Sequence, residues 1–299
     1  MENAVTQQLG GAAHINSGIV SDSIGFLASI FGRFSEQIGR LRHGWRETPS
    51  HRNLVFTSAG DRSDFDRNWV GPGQEFDLFV VYYGDDDERF ERYRRKARWI
   101  IRRKGSKYQN FRHFYHANPE IIGRYRRFFI LDDDLVFNGG HAAINRMFAV
   151  ARRYGLAISG PSFTPDGKVS HDINAHRPGV ARAYTNFVEV NAQLFSRSAL
   201  DRLMYWLTPE LVGWGIDFLA TWANGLERRD AYAVVHEVRC RNPHDHDRDH
   251  RRELDLIPEV DQREAIWEAY ARSIGCPVEF ERIEYAAVAD RRVTQPVLS

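Results

Sequence analysis

Cysteine is nearly missing from this 299-residue chain: Cys240 and Cys276 are the only two, and they stand in no metal-binding spacing. That argues against a disulfide framework and for a reducing compartment. A surplus of one charge is missing as well. Lys and Arg number 41 against 40 Asp and Glu, for a formal net charge of +1, so no whole-protein field draws in nucleic acid. No apolar run is long enough to cross a bilayer. The Met-Glu-Asn start lacks a basic region before an apolar one, so no signal peptide is expected and the expected location is the cytoplasm. Walker-type and GxGxxG loops are absent, which sets aside an ordinary ATPase or dinucleotide fold.

What the chain does have is a generous 13% of aromatic residues and enough length to bury one large core or two small ones. Its organising stretch is Arg126-Arg127-Phe128-Phe129-Ile130-Leu131-Asp132-Asp133-Asp134-Leu135-Val136-Phe137. The bounded apolar run reads as a buried, parallel strand. Three adjacent carboxylates at its end repel one another and cost desolvation, so they call for a cation. Hard oxygen ligands without nearby cysteine favour Mn2+ or Mg2+ over zinc, and the plain alternative is a solvated acidic turn.

Asn53–Asp61 and Phe76–Asp85 repeat the design, each an apolar strand running into Gly-Asp. Open parallel sheets bind ligands at the carboxyl ends of their strands, which would bring Asp61, Asp85 and Asp132–Asp134 to one rim. The expected fold is therefore α/β, with a mixed, mostly parallel Rossmann-type sheet flanked by helices. Between these strands Arg89–Lys107 is dense in Arg and Lys, with Tyr93, Trp99, Ile100 and Ile101 as the apolar face of a helix. It reads as a solvated helix face or as a contact for anionic lipid or an acidic substrate.

Further on, a helix is expected over 142–154, a short strand over 156–160 and a helix over 198–207. The polar stretch 170–182, with His171 and His176, reads as a loop over the site. Phe187–Phe195 alternates like a strand. In Gly213-Trp214-Gly215-Ile216-Asp217-Phe218, Asp217 falls in a first helical turn, where amide dipoles would hold it ionised as a general base. Ala233-Val234-Val235-His236 reads as a strand ending in a histidine, either structural or a metal ligand. The His/Asp run 244–250 is a solvated loop or a metal site of its own. The expected layout is a mobile tail (1–18), an amphipathic helix (19–46), a catalytic domain (50–252) and a C-terminal helical extension (253–299). The helix at 21–42 would pack on the fold, pair with a second subunit or rest on anionic lipid.

These motifs in this order resemble a plant-type family labelled lysine-ketoglutarate-reductase trans-splicing-related, itself similar to GT-A fold nucleotide-sugar glycosyltransferases. The motifs are strand–Gly-Asp, a Lys-rich turn, Leu-Asp-Asp-Asp-Leu, Phe-Val-Glu-Val-Asn-Ala, Phe-Ser-Arg-Ser-Ala-Leu, Gly-Trp-Gly-Ile-Asp-Phe and Val-Val-His. The resemblance runs from about Leu54 to His236. It implies a metal-dependent, inverting transferase that moves a sugar from a nucleoside diphosphate, most simply UDP, to a hydroxyl of a glycan, as in polysaccharide synthesis. Asp132 and Asp134 would form the Asp-x-Asp element that binds metal and diphosphate, with His236 completing the metal shell. Thr57, Asp61 and Asp85 would line the nucleoside, and Lys107 would face the diphosphate or base. Asp217 would be the base, Trp214 a platform for a sugar face, and His171 a substrate contact. Two rivals stand beside it: a haloacid-dehalogenase-like phosphatase with Asp132 as nucleophile, and a lipid- or nucleic-acid-binding module built on Arg89–Lys107.

Overall fold

The computed structural model describes residues 49–63, 65–244, 253–257 and 259–290. The tail 1–18, the amphipathic helix 19–46 and positions 245–250 of the His/Asp run lie outside the described residues. The chain divides into Met1–Trp45 and Arg46–Ser299, and everything below concerns the second unit.

Ten strands form one sheet in the order β10-β7-β9-β6-β8-β4-β1-β2-β3, with β5 paired to β9. In chain order they are β1 (Asn53–Ala59), β2 (Asp77–Tyr82), β3 (Trp99–Arg102), β4 (Arg127–Asp132), β5 (Val136–Phe137), β6 (Ile158–Phe163), β7 (Val180–Thr185), β8 (Ala192–Ser196), β9 (Tyr232–Arg241) and β10 (Glu284–Ala289). β1, β2, β3, β6, β9 and β10 run the same way as β4, while β5, β7 and β8 oppose it. The architecture is thus mixed α/β with a mostly parallel sheet, as the strand patterns lead one to expect.

The core is a sheet covered on both faces, which is why its central strands are apolar throughout. On one face, the helix Lys107–Ala117 lays Phe111 and Phe114 over Phe56 and Phe79, with Phe79 and Phe114 stacked at 4.0 Å. On the other, the helix Gly140–Arg153 presents Ile144, Met147 and Phe148, and Phe148 meets Phe76 and Phe129 edge-on or tilted at 6.1 and 6.0 Å. Register then fixes the rim. Ser58 lies opposite Asp132 and Ala59 opposite Tyr82, so the three apolar strands end level.

Five stretches differ from the sequence-based expectation. Trp99–Arg102 is an edge strand, because Trp99 and Ile101 alternate with Ile100 and Arg102 between the inner and outer faces. The neighbouring basic residues are matched locally: Arg92 pairs with Asp66, Arg94 with Glu91, Arg102 with Asp87 and Lys104 with Asp85. Within Phe187–Phe195 only the part from Ala192 onward is strand, and the preceding residues form a loop that enters the site. Within 170–182 there is one 3-10 turn, Asp172–Asn174, and the start of β7. His236 lies inside β9, at an irregularity where Pro161 faces Val235 but Ser162 faces Arg239. Pro161 has no N–H to give at this point. The C-terminal segment holds a helix, Arg263–Ile274, as expected, and adds β10, an edge strand antiparallel to β7.

Candidate active site

The three aspartates after β4 have three different surroundings. Asp132 ends the strand half-exposed, its amide donating to the Asn191 carbonyl at 2.9 Å. Asp133 turns inward, accepting from the Gly60 amide at 3.0 Å and from the Ser63 hydroxyl. Burial pushes its pKa up, and its role is to fasten the loop after β1 to the end of β4. Asp134 lies where its charge raises the pKa of the buried Cys240 thiol, after the larger effect of burial. On the adjoining loops Asp61 accepts from the Tyr82 phenol, and Asp85 is exposed and paired with Lys104 at 3.2 Å. Thr57 is inside β1, fully buried, with its hydroxyl donated to the Leu131 carbonyl at 2.9 Å. That carbonyl holds it away from any loop.

Lys107 is the hub of the rim. Ser106 caps its helix through a reciprocal box with Gln109, which sets Lys107 at the first helical position. The ammonium reaches Val190 O at 2.7 Å, Asn191 O at 3.3 Å and Asp132 Oδ1 at 2.7 Å, with only 12% of the side chain exposed. A lysine has three N–H donors, and three acceptors engage them. Lys107 therefore ties the 187–191 loop to Asp132, and would reach a diphosphate only by releasing one of these partners. Gln193 braces the same loop, donating to Val188 O at 2.7 Å while it accepts from the Tyr108 phenol.

What this loop carries is Glu189, a residue that motif reasoning passes over. Its carboxylate accepts from Asn191 Nδ2 at 2.7 Å and Asn174 Nδ2 at 3.0 Å. Burial first, then the charges of Asp217 and Asp132, push its pKa up to about 7 against the hydrogen bonds from Ser170 and Asn174. Asp132, Glu189 and Asp217 thus form one electrostatic group, and Asp132 and Asp217 also both act on Tyr108. An acid inside the otherwise apolar Phe187–Val190 was the available signal.

Asp217 is 9% exposed, in the first turn of the short helix Ile216–Trp222, and its Oδ1 accepts from the Phe218 amide at 3.0 Å. Burial outweighs the amides and carries its pKa up to about 6, while Arg282 pulls it down and Glu279 pushes it up. The expectation that amide dipoles dominate is corrected by this balance: desolvation of a nearly enclosed carboxylate is the larger effect. Gly215 before it has φ +75°, and a Cβ there would stand 2.0 Å from the Trp267 ring. Glycine is thus required twice over, by the left-handed backbone and by the indole of the helix Arg263–Ile274 packed against it. Trp214, at 40% exposure, has the Arg263 guanidinium 5.2 Å above its ring, so that face is already stacked. His171 sets its ring edge-on to Phe187 at 4.9 Å, and burial and then Arg282 lower its pKa.

His236 has different neighbours. It is buried, and its Nδ1 accepts from the Arg177 amide at 3.2 Å. That leaves the neutral ring's proton on Nε2, which is buried without a hydrogen-bond partner. A nitrogen that carries a proton donates and does not ligate. His176 lies 6.1 Å away between ring centroids, hydrogen-bonded through Nδ1 to Ser162 at 2.9 Å. Burial, Arg177 and His176 together lower the His236 pKa to about 4. Among the described residues no three His, Cys, Asp or Glu side chains converge as a metal cage. Asp132 and Asp134 offer hard oxygens suited to Mn2+ or Mg2+, and the remaining ligands would come from beyond the described residues or from a bound diphosphate.

No family model matches the chain, and no curated protein sequence matches it. Among solved structures, S. aureus TarS (residues 1–349) in complex with UDP-GlcNAc is similar at a TM-score of 0.48 and 10% identity, over 75% of this chain and 66% of that one. The crystal structure of S. aureus TarS without that residue limit gives 0.47 and 12%, and the similarity spans only 39% of its length. The mannosyltransferase PcManGT from Pyrobaculum calidifontis, in complex with GDP-Man and Mn2+, gives 0.45 and 14%, over 84% of this chain and 74% of that one.

Proposed function

We propose that the protein is a glycosyltransferase of the inverting kind, moving a sugar from a nucleoside diphosphate, UDP first among them, to an acceptor hydroxyl such as that of a glycan. The observation that carries this is Asp217: a nearly enclosed carboxylate, pKa about 6, grouped with Glu189 and the Asp132 rim. A carboxylate of that kind is mostly ionised near neutral pH yet basic enough to accept a proton in a transition state. The rim of Asp61, Asp85 and Asp132 stands at the strand ends where a nucleotide would lie, and Asp61 and Asp85 would accept hydrogen bonds from base and ribose.

In this mechanism Asp217 takes the proton of the acceptor hydroxyl as its oxygen attacks the anomeric carbon and the bond to the diphosphate breaks. Lys107 holds Asp132 and the Glu189 loop in place during the step. A divalent Mn2+ or Mg2+, held by Asp132 and Asp134 together with the diphosphate's own oxygens, would neutralise the leaving group when bound. The tautomer of His236 suits a hydrogen bond donated to an oxygen rather than a place in that shell. A phosphatase reading would make Asp132 a nucleophile, but it leaves Asp61 and Asp85, at the ends of β1 and β2, without a role. A binding module on 89–107 is less favoured, because Arg92, Arg94, Arg102, Lys104 and Lys107 already have acidic partners.

The test is a thermal-shift screen of UDP-GlcNAc and GDP-mannose with and without Mn2+. A joint shift is expected, larger than either component gives, and Asp134→Ala should lose the metal-dependent part. Asp217→Asn should keep the shift but release no nucleoside diphosphate with an acceptor present. No shift with any nucleotide sugar, or phosphate release from an aryl phosphate, would overturn the proposal.

A further inference from the structure

The segment 276–290 crosses the site as a strap and is fastened along its length. Trp267 Nε1 donates to Val278 O at 2.9 Å. Asn186 clamps the next part from both sides: its Nδ2 donates to Glu281 O at 2.7 Å, its amide to Ile283 O at 3.1 Å, and its Oδ1 accepts from the Ile283 amide at 2.7 Å. Beyond it Arg177 makes a two-pronged pair with Glu284, at 3.1 and 2.5 Å, and β10 joins β7. Between these anchors the strap lowers two side chains onto the aromatic wall beside Asp217. Phe280 meets Phe218 edge-on at 5.0 Å. The Arg282 guanidinium lies 4.8 Å over Phe187 and 5.3 Å over Phe218. Phe218 is the residue whose amide holds Asp217 Oδ1.

We propose that Arg282, brought over the site by this strap, is the positioning residue that keeps the Asp217 carboxylate charged and open to the acceptor. The inference rests on Asp217 being the proton acceptor. The charges that act on Asp217 both come from the strap: Arg282 lowers its pKa and Glu279 raises it. Asp217 acts in turn on Glu189 from the loop before β8 and on the neutral Tyr108 phenol from the helix over β1, raising the pKa of each. Arg282 is thus the cation that counters Glu279 and the burial that favours the neutral acid. His171 feels the same guanidinium, which adds to burial in lowering its pKa, so one arginine favours a neutral imidazole and a charged carboxylate together. The ring contacts matter because they hold the guanidinium over two aromatic rings, a constraint that a free surface arginine lacks.

The test uses the full chain labelled with 13C at the aspartate carboxyl, with the Asp217 signal identified by its loss in Asp217→Asn. A midpoint near 6 is expected in the parent. Arg282→Gln should move it upward and Arg282→Lys should restore it in part. Glu279→Gln, a mild change at an exposed position of the same strap, should move the midpoint downward, which keeps the test decisive if Arg282→Gln folds poorly. An unchanged midpoint in Arg282→Gln, or in Glu279→Gln where the arginine variant does not fold, overturns the proposal. In turnover of a nucleotide sugar, the acid limb of the pH–rate profile should shift by the same interval as the carboxyl signal. A carboxyl midpoint that moves while the limb stays fixed would overturn Asp217 as the base and leave the coupling standing.

Discussion

Asp217→Asn should make the protein more stable while abolishing its activity, and the size of the effect follows from the buried carboxylate. Its pKa rises from the ordinary 3.8 to about 6 on folding. The sign is the reverse of a salt-bridged aspartate: the folded state binds the proton more tightly, so stability falls as pH rises from about 4 to 6. Above that range the ionised group burdens the fold fully, and below it hardly at all. A difference of about two pH units at 1.36 kcal/mol each gives about 3 kcal/mol at pH 8, shrinking to well under 1 kcal/mol at pH 4. Asparagine keeps the oxygen that accepts from Phe218 and removes the charge. Urea unfolding of parent and variant at pH 4 and pH 8 measures the gap. At pH 8 it should correspond to a rise of about 6 °C or more in melting temperature. A variant equal to or weaker than the parent at pH 8, or a gap independent of pH, would refute the electrostatic account.

Glu189→Gln should behave similarly but change sign: about 1–2 kcal/mol more stable at pH 8.5, where the raised pKa burdens the parent, and less stable at pH 5. The loss at pH 5 comes from its new amide facing the amide donors of Asn174 and Asn191, and urea midpoints at the two pH values check it. Lys107→Met leaves Asp132, Val190 O and Asn191 O without their cation, so a loss of about 2–3 kcal/mol is expected. The nucleotide-sugar thermal shift should disappear with it. Gly215→Ala forces a methyl into the Trp267 ring from a left-handed backbone. A loss of about 3 kcal/mol or more is expected, with faster proteolysis within 263–275 and a red-shifted indole emission.

The strands that carry the rim were legible because β1, β2 and β4 are bounded apolar runs with acids at their ends, and covering both faces leaves such runs few other solutions. β3 was hidden because its four residues sit between arginines, and a strand that short shows too little alternation to stand out from an amphipathic helix. Asp132, Asp134 and Asp217 announce themselves as acids beside apolar sequence. Glu189 did so too, but the regular alternation around it suggested a strand and masked a loop. Arg282 could not be read at all. Its meaning depends on Asn186, which holds the chain 97 positions away, and on two phenylalanine rings from separate elements. Lys107 was expected to face a diphosphate or base because the family resemblance implies it. Its actual partners are carbonyls more than eighty residues distant, which no local pattern encodes.

Because β10 closes one margin of the sheet, the region past residue 252 is not dispensable packaging. A shortened version ending there would bare the amides and carbonyls of β7 as a sticky border and invite stacking of one copy on another. It would also strip away the indole that fills the space over Gly215. Trimming the gene to the stretch that looks most enzyme-like is therefore a recipe for insoluble material, and crystallographers or engineers should retain everything through position 290.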